Sequence, residues 1–187
     1  TYVPVDAEYP DERVQHILMH AQAKFGLVDA KRHLNGVSAF TVGNDGIEGQ
    51  GWDSPSASLP KIKGDIAAYL MFTSGSTGTP RGVAISHQQL SASTNARDQF
   101  YDAPPQRFAM ISSISFDSSI AGLFWTLATG GTLILPSERD TGDIDALAAL
   151  LTSATHTLCV PTLYNAMLER RKESDDWPSH IIVAGEP

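Results

Sequence analysis

The sequence predicts a three-layer α/β/α fold with a mainly parallel sheet. Three observations indicate it: apolar residues recur with helical spacing, short apolar runs lie between those segments, and Gly, Pro and Ser separate the two. Strands that alternate with helices are joined by crossover connections, which give parallel strands covered by helices on both faces.

The chain begins with an amphipathic helix after Pro10, where proline suits the first turn. Its apolar side chains recur at i, i+3, i+4 and i+7: Val14, Ile17, Leu18 and Ala21. Short strands are predicted at 26–28 and 37–42. Residues 43–65 carry Gly, Ser, Pro and Asp without periodicity and predict a surface connection.

From residue 66 onward, strands and helices alternate at short intervals. The predicted strands are 66–73, 108–116, 132–135, 157–160 and 181–184, and the predicted helices are one from Ser86 and those at 119–128, 143–153 and 162–172. Gln89 completes a capping box with Ser86, and Asp143 is a typical helix cap. Gly130 and Gly131 predict the end of the helix before them.

Composition excludes several classes of partner. The 187 residues are 42% hydrophobic, enough for one buried core, and the net charge of −8 disfavours nucleic acids and anionic membrane surfaces as partners. The single cysteine, Cys159, lies in an apolar stretch and predicts a buried structural thiol.

Neither a signal peptide nor an apolar run long enough to span a bilayer is visible, so a cytoplasmic location is expected. The first residue is not Met, and both ends look cut from a longer chain.

A segment rich in Gly, Ser and Thr follows the predicted strand that ends at Thr73. Its glycines allow close backbone approach, its hydroxyl groups suit phosphate oxygens, and Arg81 adds a fixed charge. If the segment were only a flexible linker, neither the preceding strand nor the Pro-Arg-Gly ending would be expected. A Walker loop is excluded, because Pro80 and Arg81 stand where that loop needs Gly and Lys.

Residues 72–82 resemble the phosphate-binding signature of the adenylate-forming superfamily, which includes acyl-CoA synthetases, luciferases and nonribosomal adenylation domains. Phe72 and Arg81 replace the Tyr and Lys of that signature. The resemblance implies that ATP phosphates bind the following residues: Thr73, Ser74, Gly75, Ser76, Thr77, Gly78 and Arg81. The opening residues 1–6, with the string 9–13, are similar to an upstream signature of nonribosomal adenylation domains.

This resemblance implies that residues 1–187 are one incomplete AMP-binding adenylation domain, a partial N-terminal subdomain of the adenylate-forming fold. Ala184-Gly185-Glu186 is similar to the family's Gly-Gly-Glu segment, which places Gly185 and Glu186 beside adenine; Ala184 departs from the pattern.

Asp117 directly follows Phe116 at a predicted helix start, and on the residues alone it is a candidate helix cap. The segment also resembles the amino-acid-binding segment of nonribosomal adenylation domains. That resemblance implies that Asp117 binds the substrate's α-ammonium group through a charge-assisted contact, and that Ser118 and Ala121 line the substrate pocket. The two interpretations are compatible.

The implied reaction joins an amino acid to ATP, with Mg²⁺, to give aminoacyl-AMP, and then loads a phosphopantetheine thiol on a carrier protein. The catalytic Lys, the acidic metal ligand and the C-terminal lobe are expected downstream. No catalytic residue or metal ligand is therefore expected within these residues, and the isolated fragment is expected to be inactive. Two alternatives remain open: a fragment of an acyl-CoA or aryl-acid ligase, and a degenerate, non-catalytic binding domain.

Overall fold

The computed structural model describes residues 1–29, 33–43, 46–48, 60–73, 80–137 and 139–185. They form two compact units, 1–87 and 88–187, with a mixed α/β fold as predicted. Within the described residues, no helix is both long and apolar enough to cross a membrane.

In the first unit, one helix precedes two small sheets. Its described elements are α1 Asp11–His20, β1 Phe25–Val28, β2 Ser38–Gly43, β3 Gly46–Glu48, β4 Ala67–Thr73 and β5 Arg81–Ser86. The first sheet has the order β1-β2-β3, with β1 and β2 parallel, and the second is the antiparallel pair β4-β5. Helix α1 buries Val14, Ile17 and Leu18, which confirms the predicted apolar stripe.

Two strands of the first unit were not predicted. Strand β5 pairs antiparallel with β4, although its first four residues are exposed and carry no inside–outside alternation that could have predicted a strand. Strand β3 lies within the predicted surface connection. The rest of that connection is exposed at 60–65, while 44–45 and 49–59 lie outside the described residues.

The second unit contains a parallel sheet of order β7-β6-β8-β9. Its described elements are α2 His87–Phe100, β6 Arg107–Ala109, α3 Asp117–Ala128, β7 Thr132–Ile134, α4 Ile144–Leu151, β8 His156–Cys159, α5 Pro161–Leu168 and β9 His180–Val183. Asp143 caps α4 as predicted, because its carboxylate accepts from the backbone N–H of Asp145 and Ala146 at 2.9 and 3.2 Å.

Two predicted elements of this unit are too long. The strand predicted at 108–116 ends at Ala109, although the Met110 N–H still donates to the Ile134 carbonyl at 3.0 Å. Further along, the N–H groups of Ser115 and Phe116 donate to Ser113 and form a turn instead of pairing with a strand. The helix predicted to reach residue 172 ends at Leu168.

Helices cover both faces of the parallel sheet. Phe108 and Ala109 are consecutive in β6 and therefore point to opposite faces. Phe108 meets α3, where Gly122 leaves room for its ring. Ala109 belongs instead to a core built with α4 and α5, which includes Cys159. Burial raises the pKa of the Cys159 thiol to about 11, as expected for a structural cysteine.

Two histidines join the amino-terminal ends of β8 and β9. His156 lies opposite His180, and their rings stack with centroids 4.3 Å apart and planes 4° apart. The His180 Nε2 group donates to the Asp102 carboxylate at 2.6 Å, and the His156 Nε2 group donates to the Ala103 carbonyl at 3.2 Å. These bonds tie the sheet to the connection between α2 and β6.

Two groups of this cluster, His156 and Asp102, have shifted pKa values. Burial lowers the pKa of His156, with the nearby His180 acting in the same direction. The hydrogen bond from His180 lowers the pKa of the Asp102 carboxyl. Both shifts oppose protonation in the folded state.

We expect Gly122→Ala to destabilise the second unit. A Cβ at this position would lie 2.5 Å from Cε1 of the buried Phe108 ring, so the ring must move within a packed core. The net loss in the free energy of unfolding should be about 1–2 kcal/mol, after the better helix propensity of Ala is counted. Urea unfolding followed by Trp fluorescence measures it. The control is Gly142→Ala, because a Cβ there has no described atom within 4 Å; equal losses in both variants would contradict the packing.

We expect stability to fall as the pH is lowered from 7.5 to 5. Because the pKa of His156 is lower when folded, the unfolded chain takes up the proton first below about pH 6.5, which favours unfolding. The contribution of Asp102 is lost only in stronger acid. His156→Gln should flatten the slope of stability against pH in urea titrations, whereas the exposed-site control His33→Gln should keep it. An unchanged slope in His156→Gln would show that this ring does not set the dependence.

Candidate active site

The hairpin β4-β5 holds the two ends of the predicted phosphate loop. Thr73 is the last residue of β4 and lies opposite Arg81, the first residue of β5. Both side chains are exposed. The other predicted phosphate-binding residues lie outside the described residues: Ser74, Gly75, Ser76, Thr77 and Gly78.

Gly82 has a packing role that the sequence motif did not reveal. It lies opposite Phe72 in the hairpin, and a Cβ there would come within 3.2 Å of the Phe72 ring and 3.1 Å of Leu70. The glycine therefore lets the ring cover the backbone beside Arg81, which keeps Phe72 buried.

A second contact positions the end of this segment. The His16 Nε2 group of α1 donates to the Pro80 carbonyl oxygen at 3.4 Å, since a carbonyl oxygen can only accept. This long bond reaches the residue just before Arg81 from 64 positions away in the sequence. Sequence reasoning missed it, because His16 belongs to no motif that was identified.

The second unit contains a cavity of about 670 Å³. Val160 and Ala184, which follow β8 and β9 directly, line it, so it lies at the carboxyl ends of the parallel strands. This is where ligands bind in open α/β sheets. Four of the predicted site residues meet in this cavity: Asp117, Ser118, Ala121 and Gly185.

Asp117 is the first residue of α3 rather than its cap. Phe116 occupies the N-cap position, with extended backbone and no capping side chain, and the Ser119 hydroxyl donates to the Phe116 carbonyl at 2.7 Å. A negative charge in the first turn of a helix is stabilised by the helix dipole. Within the described part of the chain, the exposed Asp117 carboxylate has no hydrogen bond or ion pair. It is therefore available to a ligand.

Ser118 and Ala121 extend the same face of α3 into the cavity. They are three residues apart, which places them on one side of a helix. Ser118 is half-buried and Ala121 is buried, and both side chains are small. The small side chains of α3 therefore leave room for a ligand at this wall of the cavity.

Gly185 has a backbone conformation that favours glycine. Its φ is +105°, in the region that side chains with a Cβ rarely adopt. The segment turns here directly after β9, beside Val160. Glu186, its predicted partner at the adenine, lies outside the described residues.

Two further residues that no motif predicted also line the cavity: Arg97 of α2 and Tyr101, which directly follows the helix. The Tyr101 N–H donates to the Arg97 carbonyl at 3.0 Å, which continues the last helical turn and brings the two residues to one side of it. The apolar wall is formed by residues of the sheet, of the loops after its strands and of α5: Ile111, Leu158, Val160, Leu163 and Ile182. Helical spacing could have paired Arg97 with Tyr101, but nothing in the sequence places them beside Asp117.

The donors present suit a polyphosphate better than a metal ion. Arg81 carries a fixed charge, and Thr73 adds a hydroxyl donor across the hairpin. Within the described ranges, no group of three or more His, Cys, Asp and Glu side chains could hold a metal. The side chains described here therefore offer no cage of their own for Mg²⁺.

Comparisons with known proteins identify the family of the chain. The family model described as AMP-binding enzyme matches residues 1–187. Gramicidin S synthase 2 of Brevibacillus brevis is 33% identical over 178 residues, which are 93% of this chain and 4% of the relative. A solved nonribosomal peptide synthetase, FmoA3 bound to α-methyl-L-serine-AMP, is 25% identical with a TM-score of 0.77, over 94% of this chain and 20% of that one.

The N-terminal subdomain of Klebsiella oxytoca NpsA, solved with 3-hydroxybenzoyl-AMSN, shares the fold at 23% identity with a TM-score of 0.76. The match covers 98% of this chain and 46% of that one. The chain thus spans less than half the length of each of these three proteins. Because the family model matches from end to end, the chain belongs to the family of AMP-binding enzymes.

Proposed function

We propose that the chain is part of an amino-acid-activating ligase of the nonribosomal peptide synthetase type. The ligase forms aminoacyl-AMP from ATP and an amino acid, and then loads a phosphopantetheine thiol on a carrier protein. The observation that carries the proposal is the Asp117 carboxylate, which lines a cavity at the carboxyl ends of the sheet with no partner among the described residues. Family membership and similarity to nonribosomal synthetases support it.

Asp117 would bind the α-ammonium group of the amino acid. A charge-assisted hydrogen bond between an ammonium group and a carboxylate is stronger than one between neutral groups. Ser118 and Ala121 would contact the substrate from the same helix. This arrangement disfavours a fatty acid, which has no ammonium group.

The other predicted site residues would bind ATP. The substrate carboxylate attacks the α-phosphorus, an acyl–phosphate bond forms, and the bond to the pyrophosphate oxygen breaks. Arg81 and residues 73–78 would stabilise negative charge on the leaving phosphates, and Mg²⁺ would add further positive charge. Gly185 and Glu186 would lie beside adenine.

Residues 1–187 would act as one incomplete adenylation domain within a larger synthetase. The C-terminal lobe with its catalytic Lys and the carrier protein would supply the remaining steps. Cytoplasmic location stays a prediction of the sequence.

An aryl-acid or acyl-CoA ligase is the second candidate, favoured by the apolar wall that includes Ile111 and Leu158. Exchange of labelled pyrophosphate into ATP by the full-length synthetase, with amino acids compared to aryl and fatty acids, separates the two. Exchange with aryl or fatty acids alone would contradict the proposal. Exchange with no acid of any class would favour a non-catalytic binding domain.

We expect Asp117→Asn in the full-length synthetase to lower kcat/KM for the amino acid by roughly 10- to 100-fold, because a charge-assisted bond is lost. The deaminated analogue of the same substrate should be affected much less, since it lacks the ammonium group. Asp176→Asn, at an exposed site outside the cavity, is the matched control. Equal losses for the two substrates would show that Asp117 does not bind the ammonium group.

We expect Arg81→Ala to raise KM for ATP about tenfold, because one charged contact to the phosphates is removed. Arg81→Lys should recover much of the loss by keeping the charge, although without the planar fork of donors. KM for the amino acid should change little. Pyrophosphate exchange at varied ATP measures both constants, with the exposed Arg170→Ala as the control; an unchanged KM for ATP in Arg81→Ala would contradict phosphate binding.

A further inference from the structure

Arg97 lines the same cavity as Asp117 and is held there by its own helix. Its Nη1 group donates to the Ser93 carbonyl at 3.1 Å and to the Ser93 hydroxyl at 2.7 Å. Ser93 is one turn earlier in α2, so these bonds fix the orientation of the guanidinium without any other element.

The opposite edge of the guanidinium is unused. Its Nε and Nη2 groups have no acceptor among the described residues, and no carboxylate there forms an ion pair with Arg97. The Nε and Nη2 donors lie side by side, and such an edge binds a carboxylate through two parallel hydrogen bonds. Arg97 can therefore bind an anionic group through its Nε and Nη2 donors.

Few charged side chains line the cavity. Among its described lining residues, Arg97 is the only cation and Asp117 the only anion, while the remaining walls are apolar or neutral. A half-buried guanidinium beside apolar walls is incompletely hydrated, which favours a bound anion.

We propose that Arg97 is a specificity-determining residue that selects an amino acid with a carboxylate in its side chain. This inference rests on the proposed function. There, Asp117 binds the ammonium group, and the α-carboxylate must stay free to attack ATP. The group left for Arg97 is therefore the side chain of the substrate. Aspartate, glutamate and their close analogues fit this chemistry.

The test is pyrophosphate exchange by the full-length synthetase with the twenty proteinogenic amino acids and with longer dicarboxylic analogues. The wild type should use an acidic amino acid best. Arg97→Gln should lower kcat/KM for that substrate by roughly 10- to 100-fold and for its uncharged amide analogue by little. Arg97→Lys should give an intermediate loss, because it keeps the charge but not the paired donors.

Arg170→Gln is the control, since Arg170 lies on the exposed surface outside the cavity. A wild type that uses a neutral or basic amino acid best would overturn the inference but leave the proposed function intact. An equal loss for all amino acids in Arg97→Gln, at an unchanged thermal unfolding midpoint, would overturn it too, because it would place Arg97 at a group common to all of them. Absence of exchange with every amino acid would refute the proposed function, and this inference with it.

Discussion

The parallel pairing of β6, β8 and β9 is the constraint on which the cavity depends. Their shared direction brings the residues after each strand to one edge of the sheet, where Val160 and Ala184 form part of the cavity wall. The close packing of α3 on Phe108 at Gly122 then fixes the start of α3, and with it Asp117, at the same edge. At the opposite edge, the stacked His156 and His180 hold β8 beside β9.

The cavity differs from a packing defect because two charged side chains line it. Asp117 and Arg97 enter from different helices, and within the described residues neither is neutralised by an opposite charge. Arg97 is half-buried beside apolar walls, where a guanidinium is incompletely hydrated, whereas Asp117 is exposed. The proposed substrate, an amino acid with a carboxylate in its side chain, would pair its ammonium group with Asp117 and its side chain with Arg97.

The sequence was informative wherever one local pattern decides the structure. The stripe of Val14, Ile17 and Leu18 located α1, and the Asp143 cap is confirmed by its two bonds. Strand β5 was not predicted, because it is stabilised by pairing with β4. A pattern of hydrophobic residues does not reveal such pairing. The position of Arg97 in the cavity was not predicted for a related reason: it shares the cavity with Asp117 because of how the helices pack. Motifs thus pointed to Asp117 and to a predicted phosphate segment, but not to the neighbours of Asp117 that complete the cavity.

Binding of the substrate's ammonium group by Asp117 is tested most directly by a crystal structure of the full-length adenylation domain with a non-hydrolysable aminoacyl-AMP analogue. We expect the α-ammonium nitrogen to lie about 3 Å from a carboxylate oxygen of Asp117. An analogue bound with its ammonium group elsewhere, and with Asp117 facing solvent, would contradict it.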